Sequence, residues 1–232
     1  MRVWKLSLAA AAASLALGGT ALAQEDTSPS FSFNVGASTD YVFRGVSQTD
    51  EEPQIFGGAD VTAGMFYGGV WASNVDFLDS TDAEVDVYAG VKPTLGAVSA
   101  DLGVIYYGYV NSPSGSDYAY WEFKAAGSVA AGPATVGLAA YYSPDFFGAV
   151  DEALYYEVNA ALPIGESPFT VSGALGRQEL EGPGDYTTWN LGVGYALTDH
   201  VGFDLRYWDT ADAGSFGPYY EPRVVLGVKA TF

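Results

Sequence analysis

Apolar residues recur at every second position in short segments, and this alternation constrains the fold more than any other feature of the sequence. In residues 31–44 the odd positions are mostly aromatic or aliphatic, whereas the even positions are mostly polar or small. The same pattern recurs in residues 84–92, 199–209 and 223–232. A period of two residues is typical of a β-strand that has one apolar face. The pattern therefore predicts an all-β protein.

Weaker copies of the alternation fill the rest of the chain, so strands are predicted from residue 31 to the last residue. The sequence predicts twelve of them, at residues 31–44, 54–63, 66–75, 84–92, 98–109, 119–129, 134–142, 153–162, 169–177, 187–196, 200–208 and 223–232.

The connections between these strands alternate in length. Those after odd-numbered strands are long and polar, at residues 45–53, 76–83, 110–118, 143–152, 178–186 and 209–222. Those after even-numbered strands are short, at residues 64–65, 93–97, 130–133, 163–168 and 197–199. Outer-membrane barrels combine long extracellular loops with short periplasmic turns, and about 9–11 tilted residues cross the bilayer. The predicted fold is a closed, antiparallel, twelve-stranded transmembrane β-barrel with both termini in the periplasm.

Strands in two water-soluble all-β folds also have alternating apolar and polar residues. A β-sandwich has no reason to carry long loops at one end and short turns at the other. A lipocalin-like barrel holds its apolar residues inside, and alternation alone does not say which face is inside. Aromatic residues at strand ends and glycine on the polar faces favour the arrangement with the apolar face against lipid.

The N-terminal region has the features of an export signal. Arg2 and Lys5 precede an Ala- and Leu-rich run, and Ala21-Leu22-Ala23 resembles a cleavage site. We therefore expect residues 1–23 to be a secretory signal peptide and residues 24–232 to be the barrel. A single transmembrane anchor is the alternative, but the apolar run is short for one. Phe232, at the end of an alternating strand, is predicted to be the signal for the barrel-assembly machinery.

The charge balance and the residue types exclude several classes of function. The chain has 28 acidic residues against 9 Lys plus Arg, which opposes binding to nucleic acid. It has no cysteine, so disulfide scaffolds and cysteine-ligated metals are excluded. Its one histidine, His200, lies at a predicted short turn, directly after residues 197–199, rather than beside a nucleophile. We expect no enzymatic activity, no cofactor and no metal site.

Several segments resemble a known family. They are STDYVFRGVSQT at residues 38–49, YGGVWASNV at 67–75, EVDVYAG at 84–90 and YYSPD at 141–145. They are similar to segments of the TorF-like porin family of proteobacteria. The resemblance implies an outer-membrane barrel of the porin type, and it supplies no catalytic or binding residues.

Charged residues on the polar faces of the strands are predicted to line the lumen and its constriction. They are Asp40, Arg44, Glu84, Asp86, Glu122, Lys124, Glu157, Asp204, Arg206 and Arg223. The strand order places Arg44, Arg206 and Arg223 on neighbouring strands near the outer rim, opposite the acidic residues of strands 4, 6 and 8. Two interpretations stay open: a transverse field that selects solutes, or a salt-bridge mesh that rigidifies the barrel.

The predicted function is passive diffusion of small hydrophilic solutes through a narrow, charge-lined channel in the outer membrane. The alternative is a structural or surface-binding barrel that does not conduct and that acts through its acidic extracellular loops. The expected partners are outer-membrane lipid, lipopolysaccharide, the assembly machinery and the solutes. The acidic loops either bridge to lipopolysaccharide phosphates through divalent cations or form a solvated outer face.

Overall fold

The computed structural model describes residues 28–148, 150–212 and 217–232, and within them twelve long antiparallel strands close into a barrel. The predicted signal peptide lies outside the described residues. The strands are β1 Ser30–Ser38, β2 Gln54–Ala63, β3 Phe66–Asn74, β4 Ala83–Val91, β5 Val98–Val110, β6 Tyr120–Ala131, β7 Ala134–Ser143, β8 Ala153–Pro163, β9 Phe169–Leu180, β10 Tyr186–Ala196, β11 Val201–Ala211 and β12 Arg223–Thr231. The predicted fold class is confirmed, and the orientation of the termini stays a prediction.

The barrel closes because the first and last long strands pair with each other. Ala37 of β1 lies opposite Val228 of β12 in an antiparallel ladder. Beyond β12, Phe33 and Phe232 exchange two backbone hydrogen bonds of 3.1 and 2.9 Å. Closure leaves no long strand with an unpaired edge, which is how a spanning sheet satisfies its backbone without water.

The two ends of the barrel differ in their connections. One end, called here the loop end, carries residues 39–53, 75–82, 111–119, 144–148, 150–152, 181–185, 212 and 217–222 of the described chain. The other, called the turn end, carries tight turns such as Gly64-Met65, where Gly64 has a φ of 58° that suits a residue without a Cβ. β9 and β10 are longer than predicted, so residues 181–185 form a shorter connection than the sequence indicated.

The strands direct apolar residues outward and polar residues inward. Val87 and Leu205 are 51% and 53% exposed on the outer surface, whereas Glu122 and Gln178 are 1% exposed in the interior. This distribution is the reverse of that in a lipocalin-like barrel, so that alternative is wrong. Within the described ranges, no helix reaches the length and apolarity that a membrane-spanning helix needs.

The first strand is shorter than the sequence predicts. β1 ends at Ser38, and the following residues fold into the lumen instead of continuing the wall. They form a small antiparallel ladder, called here the inner hairpin, in which Val42–Phe43 pairs with Val46–Ser47. The prediction that residues 39–44 belong to the wall was therefore wrong.

A tight turn explains the inner hairpin. Arg44 and Gly45 occupy its tip with φ values of 48° and 87°, and two-residue hairpin turns of this kind need positive φ at both central residues. The base is held by Asp40, whose Oδ1 accepts hydrogen bonds from the hydroxyls of Ser47 at 2.7 Å and Thr49 at 2.9 Å. The alternation of residues 39–44 resembles that of a strand because a hairpin arm is itself extended.

Candidate functional site in the barrel lumen

The tip of the inner hairpin is joined to the opposite wall by a buried ion pair. Both terminal nitrogens of Arg44 donate to the Glu122 carboxylate of β6, each at 2.7 Å. Arg44 also donates to Oε1 of Gln178 on β9 at 3.2 Å. Arg44 and Glu122 are 3% and 1% exposed. A bidentate guanidinium–carboxylate pair shielded from water holds the inner hairpin across the lumen.

Aromatic rings surround this ion pair. The Arg44 guanidinium carbon lies 4.4 Å from the ring centroid of Tyr155 and 4.8 Å from that of Tyr141. The Tyr107 hydroxyl donates to Glu122 at 3.0 Å, and the Tyr107 ring stacks on Tyr120 at 4.4 Å. The side chains that make these cation–π contacts and hydrogen bonds fill the lumen at the level of the inner hairpin.

A second ion pair fixes the base of the inner hairpin to the wall. Arg223, the first residue of β12, donates to Oδ2 of Asp40 at 2.8 Å and to the backbone oxygens of Pro218 and Tyr219. The inner hairpin is thus held on two sides of the barrel, by Arg223 at its base and by Glu122 at its tip.

A cavity of about 380 Å³ lies in the lumen between the inner hairpin and the turn end. Phe43 and Arg44 bound it on the hairpin side, whereas Lys92 and Lys229 bound it near the turn end. Its wall is made of both charged and aromatic side chains.

Most cations of the cavity wall are paired with carboxylates. Lys124 donates to Asp101 at 2.8 Å, and Arg206 contacts Asp204 at 3.0 Å. Arg206 also donates to the side chain of Asn190 at 2.6 Å and to that of Ser172 at 2.8 Å. Lys92 rests over the Tyr67 ring, 4.5 Å from its centroid.

Four carboxylates that face the lumen, Asp60, Glu84, Asp86 and Glu157, have no cationic partner within ion-pair distance among the described residues. Asp60 accepts a hydrogen bond of 2.6 Å from the Tyr88 hydroxyl. Glu84 accepts a hydrogen bond of 2.7 Å from the Tyr41 hydroxyl. Glu157 accepts bonds of 2.8 Å from Tyr155 and Asn159. The Oδ1 of Asp86 is buried and has no hydrogen-bond partner within the described chain. The lumen near the inner hairpin therefore holds an excess of negative charge.

The predicted lumen residues do face the interior, but not in the predicted arrangement. Arg44 lies in the inner hairpin rather than on β1, and it contacts Glu122 directly. The predicted basic and acidic arcs are therefore not separated across the lumen at this point. Arg206 lies at mid-height, because β11 continues to Ala211. Asp40, Lys124 and Asp204 pair with opposite charges. The geometry favours the salt-bridge mesh over the transverse field, and the role of these residues in a constriction stays a prediction.

Sequence reasoning missed the tyrosines that pack beside the charges. Tyr107, Tyr120, Tyr141 and Tyr155 face the lumen, although aromatic residues were assigned to the lipid interface. Their positions on the polar faces of their strands are the signal that could have found them. Glycine is the complementary signal: a Cβ on Gly176 would lie 2.3 Å from the Tyr155 hydroxyl, so this glycine makes room for the ring.

The loop end carries an aromatic cluster above the lumen. Phe77, Tyr109, Tyr118 and Phe147 contact one another, and the rings of Tyr118 and Phe147 stack at 4.4 Å. The Tyr118 hydroxyl donates to Asp79 at 2.8 Å, and this hydrogen bond raises the pKa of Tyr118. The long loops thus pack on each other as well as carrying acidic residues.

His200 and Phe232 meet at the turn end. Their rings are nearly parallel with centroids 6.3 Å apart, and Nδ1 of His200 lies 2.8 Å from the Thr231 backbone oxygen. His200 lies in the turn that precedes β11, which begins at Val201. The role of Phe232 in assembly stays a prediction.

The fold resembles that of solved outer-membrane channels. The KdgM porin superimposes with a TM-score of 0.61 at 11% identity, covering 87% of this chain and 99% of that one. An outer membrane channel from Pseudomonas putida F1 superimposes with a TM-score of 0.55 at 10% identity, covering 87% and 95%. At these identities the likeness shows the fold alone.

Sequence comparison assigns the chain to a family without naming an activity. No curated protein matches the sequence. The narrower resemblance to TorF-like porins is not confirmed. A family model described as "Bacterial protein of unknown function (Gcw_chp)" matches residues 23–232, and the chain therefore belongs to the Gcw_chp family.

Proposed function

We propose that the protein is a narrow outer-membrane channel for the passive diffusion of small hydrophilic solutes. The observation that carries this proposal is the cavity of about 380 Å³ inside a barrel whose outer surface is apolar. A charged and aromatic lumen wall is suited to water and polar solutes, and an apolar outer surface is suited to lipid. The two structural neighbours are named a porin and a channel, which agrees with the proposal at the level of fold.

The inner hairpin sets the narrowest level of this channel. Twelve strands lie between the eight-stranded barrels that side chains fill and the 16–18-stranded porins that leave an aqueous channel. Tyr107, Tyr120 and Arg44 are almost completely buried at the level of the hairpin. We therefore expect low conductance, with passage controlled by the position of residues 39–53.

The proposed location follows from the same features. Residues 1–23 would direct export, the barrel would insert with its turn end in the periplasm, and Phe232 would be read by the assembly machinery. The acidic loops would then face lipopolysaccharide, either bridged to its phosphates by divalent cations or simply solvated.

The test is single-channel recording with refolded protein in a planar bilayer. We expect discrete current steps of low conductance, absent from protein-free bilayers. The absence of steps above the lipid background, both in the wild type and after removal of the inner hairpin, would contradict the channel proposal.

The second candidate is a barrel that does not conduct and that acts through its loops. The buried packing of Arg44, Glu122 and Gln178 favours it, since these side chains leave little room at that level. The candidate predicts no current in the wild type and none after removal of the inner hairpin. Current in the hairpin-deleted barrel alone would identify a gated channel.

A further inference from the structure

Among the carboxylates of the cavity wall in the described chain, Asp86 is the one that has a buried oxygen without a hydrogen-bond partner. It is 7% exposed, and its Oδ1 is buried with no hydrogen-bond partner in the described ranges. No Lys, Arg or His of the described chain lies within ion-pair distance of it. The side chain nevertheless lines the cavity. A buried carboxylate without a partner is costly, so a cation supplied from the cavity would stabilise it.

Aromatic side chains flank Asp86 on both neighbouring strands. Trp71 of β3 and Tyr107 of β5 lie directly opposite it in the two ladders, and both line the cavity. Residues opposite each other in this way point to the same face, with Cβ atoms about 4.5–5.5 Å apart. The Tyr41 ring of the inner hairpin lies 5.4 Å from that of Trp71 and adds a wall on the loop side.

The nearby charges favour a cation over an anion. Glu84 precedes Asp86 by two residues on the same inward face of β4, and its carboxylate accepts a hydrogen bond from the Tyr41 hydroxyl but has no cationic partner in the described chain. Glu122 is neutralised by Arg44. An anion at Asp86 would therefore meet two carboxylates without a compensating cation.

The ligand set does not suit a metal ion. In the described part of the chain, no group of three or more His, Cys, Asp or Glu side chains is placed to hold one. Hard metal ions take six or more oxygen ligands, whereas aromatic faces beside a carboxylate attract organic ammonium ions.

We propose that Asp86, Trp71 and Tyr107 form a subsite for a small organic ammonium ion. The carboxylate neutralises the charge of the ion, and the aromatic rings contact its N-methyl or N-methylene groups. The inference rests on the proposed function in one respect, since the ion reaches the subsite through the lumen. The cavity provides that route, because it extends from the inner hairpin to Lys92 and Lys229 near the turn end.

The test is isothermal titration of the refolded barrel in detergent micelles with choline chloride, with sodium chloride as the reference salt. The variant is Asp86→Asn, which keeps the shape of the side chain and removes its charge. Asp60→Asn is the matched control, because Asp60 lines the same cavity and accepts a hydrogen bond of 2.6 Å from Tyr88 that an amide oxygen also accepts. We expect Asp86→Asn to weaken choline binding about tenfold or more, and Asp60→Asn to change it by less than about threefold.

Three results would overturn the subsite. They are choline binding no tighter than sodium binding, equal choline affinity in the wild type and Asp86→Asn, and equal loss in Asp86→Asn and Asp60→Asn. The last would indicate a general effect of lumen charge.

Recording channel current from the same preparations separates this inference from the proposed function. Current steps without Asp86-dependent choline binding would overturn the subsite and leave the channel. Asp86-dependent binding without current, in the wild type and in the hairpin-deleted barrel, would overturn the channel and support the subsite.

Discussion

At the scale of single residues, Arg44 makes the most consequential contacts in the lumen. It is buried, forms a bidentate pair with Glu122 and lies among the rings of Phe43, Tyr141 and Tyr155. Removing one partner of a buried ion pair leaves the other charge without compensation, and this costs more than the pair contributes. The attachment of the hairpin tip to the opposite wall therefore depends mainly on this one side chain.

Arg44→Met should lower the free energy of unfolding by about 3–5 kcal/mol, because Glu122 would stay buried without a cation. The measurement is urea unfolding in detergent micelles, followed by tryptophan fluorescence. Arg44→Met combined with Glu122→Gln should recover a large part of the loss, since the uncompensated charge is then gone.

Arg177→Met is the control for this prediction. Arg177 pairs with Asp185 and Asp212 at the loop end, where all three side chains are at least 31% exposed. Exposed pairs contribute about 0–1 kcal/mol, so this variant should be close to the wild type. If Arg44→Met and Arg177→Met lowered the free energy of unfolding equally, the buried ion pair would stabilise the protein no more than the exposed pairs do.

At the scale of elements, the wall and the inner hairpin are separable. Ser38 and Gln54 face each other at the ends of β1 and β2, so a two-residue turn can join them without residues 39–53. The inner hairpin forms a separate two-stranded sheet, so the ring of paired wall strands closes without it.

Replacing residues 39–53 by Asn-Gly should therefore leave a folded barrel with a higher single-channel conductance, because the lumen loses the segment that fills it. The matched control replaces residues 144–152 by Asn-Gly, since Ser143 and Ala153 also face each other across their loop. The conductance of this control should stay near that of the wild type. If both variants conduct equally, the inner hairpin is not what limits passage.

At the scale of the whole molecule, the barrel has apolar residues on its outer face and polar residues in its lumen, the reverse of a water-soluble barrel. This distribution indicates that lipid surrounds the barrel and that water enters the lumen. Val87 and Leu205 lie near mid-strand on the outer face and are half exposed, whereas Asn34 lines the cavity. The outer surface is therefore matched to hydrocarbon and the lumen to water.

Val87→Arg and Leu205→Arg should each reduce insertion into lipid vesicles, because Arg or Lys on the lipid face near the midplane costs about 2–4 kcal/mol. The folded fraction can be measured from the mobility of unheated samples on gels containing dodecyl sulfate. Asn34→Arg should insert close to wild-type levels, since its charge would face the aqueous lumen. Normal insertion of all three variants would contradict the assignment of the faces.

The number of strands, their direction and their faces could be predicted from the sequence. Each follows from a local rule, since residues i and i+2 share a face and a short polar connection reverses the chain. Leu205 and Arg206 show how little context such a prediction needs: adjacent in sequence, they lie on the outer and inner faces. The ends of strands were less certain, as the extension of β11 beyond residue 208 shows.

The tertiary structure alone decided the path of residues 39–53 and the partners of the lumen charges. Extended residues alternate equally in a wall strand and in an inward hairpin, so the pattern of residues 39–44 was compatible with both. Arg44 is 78 residues from Glu122, and Asp40 is 183 residues from Arg223. Contacts of this range exist because closure of the barrel brings distant strands around one lumen. Local periodicity determines which face a side chain occupies, whereas its partner across the lumen depends on the closed barrel.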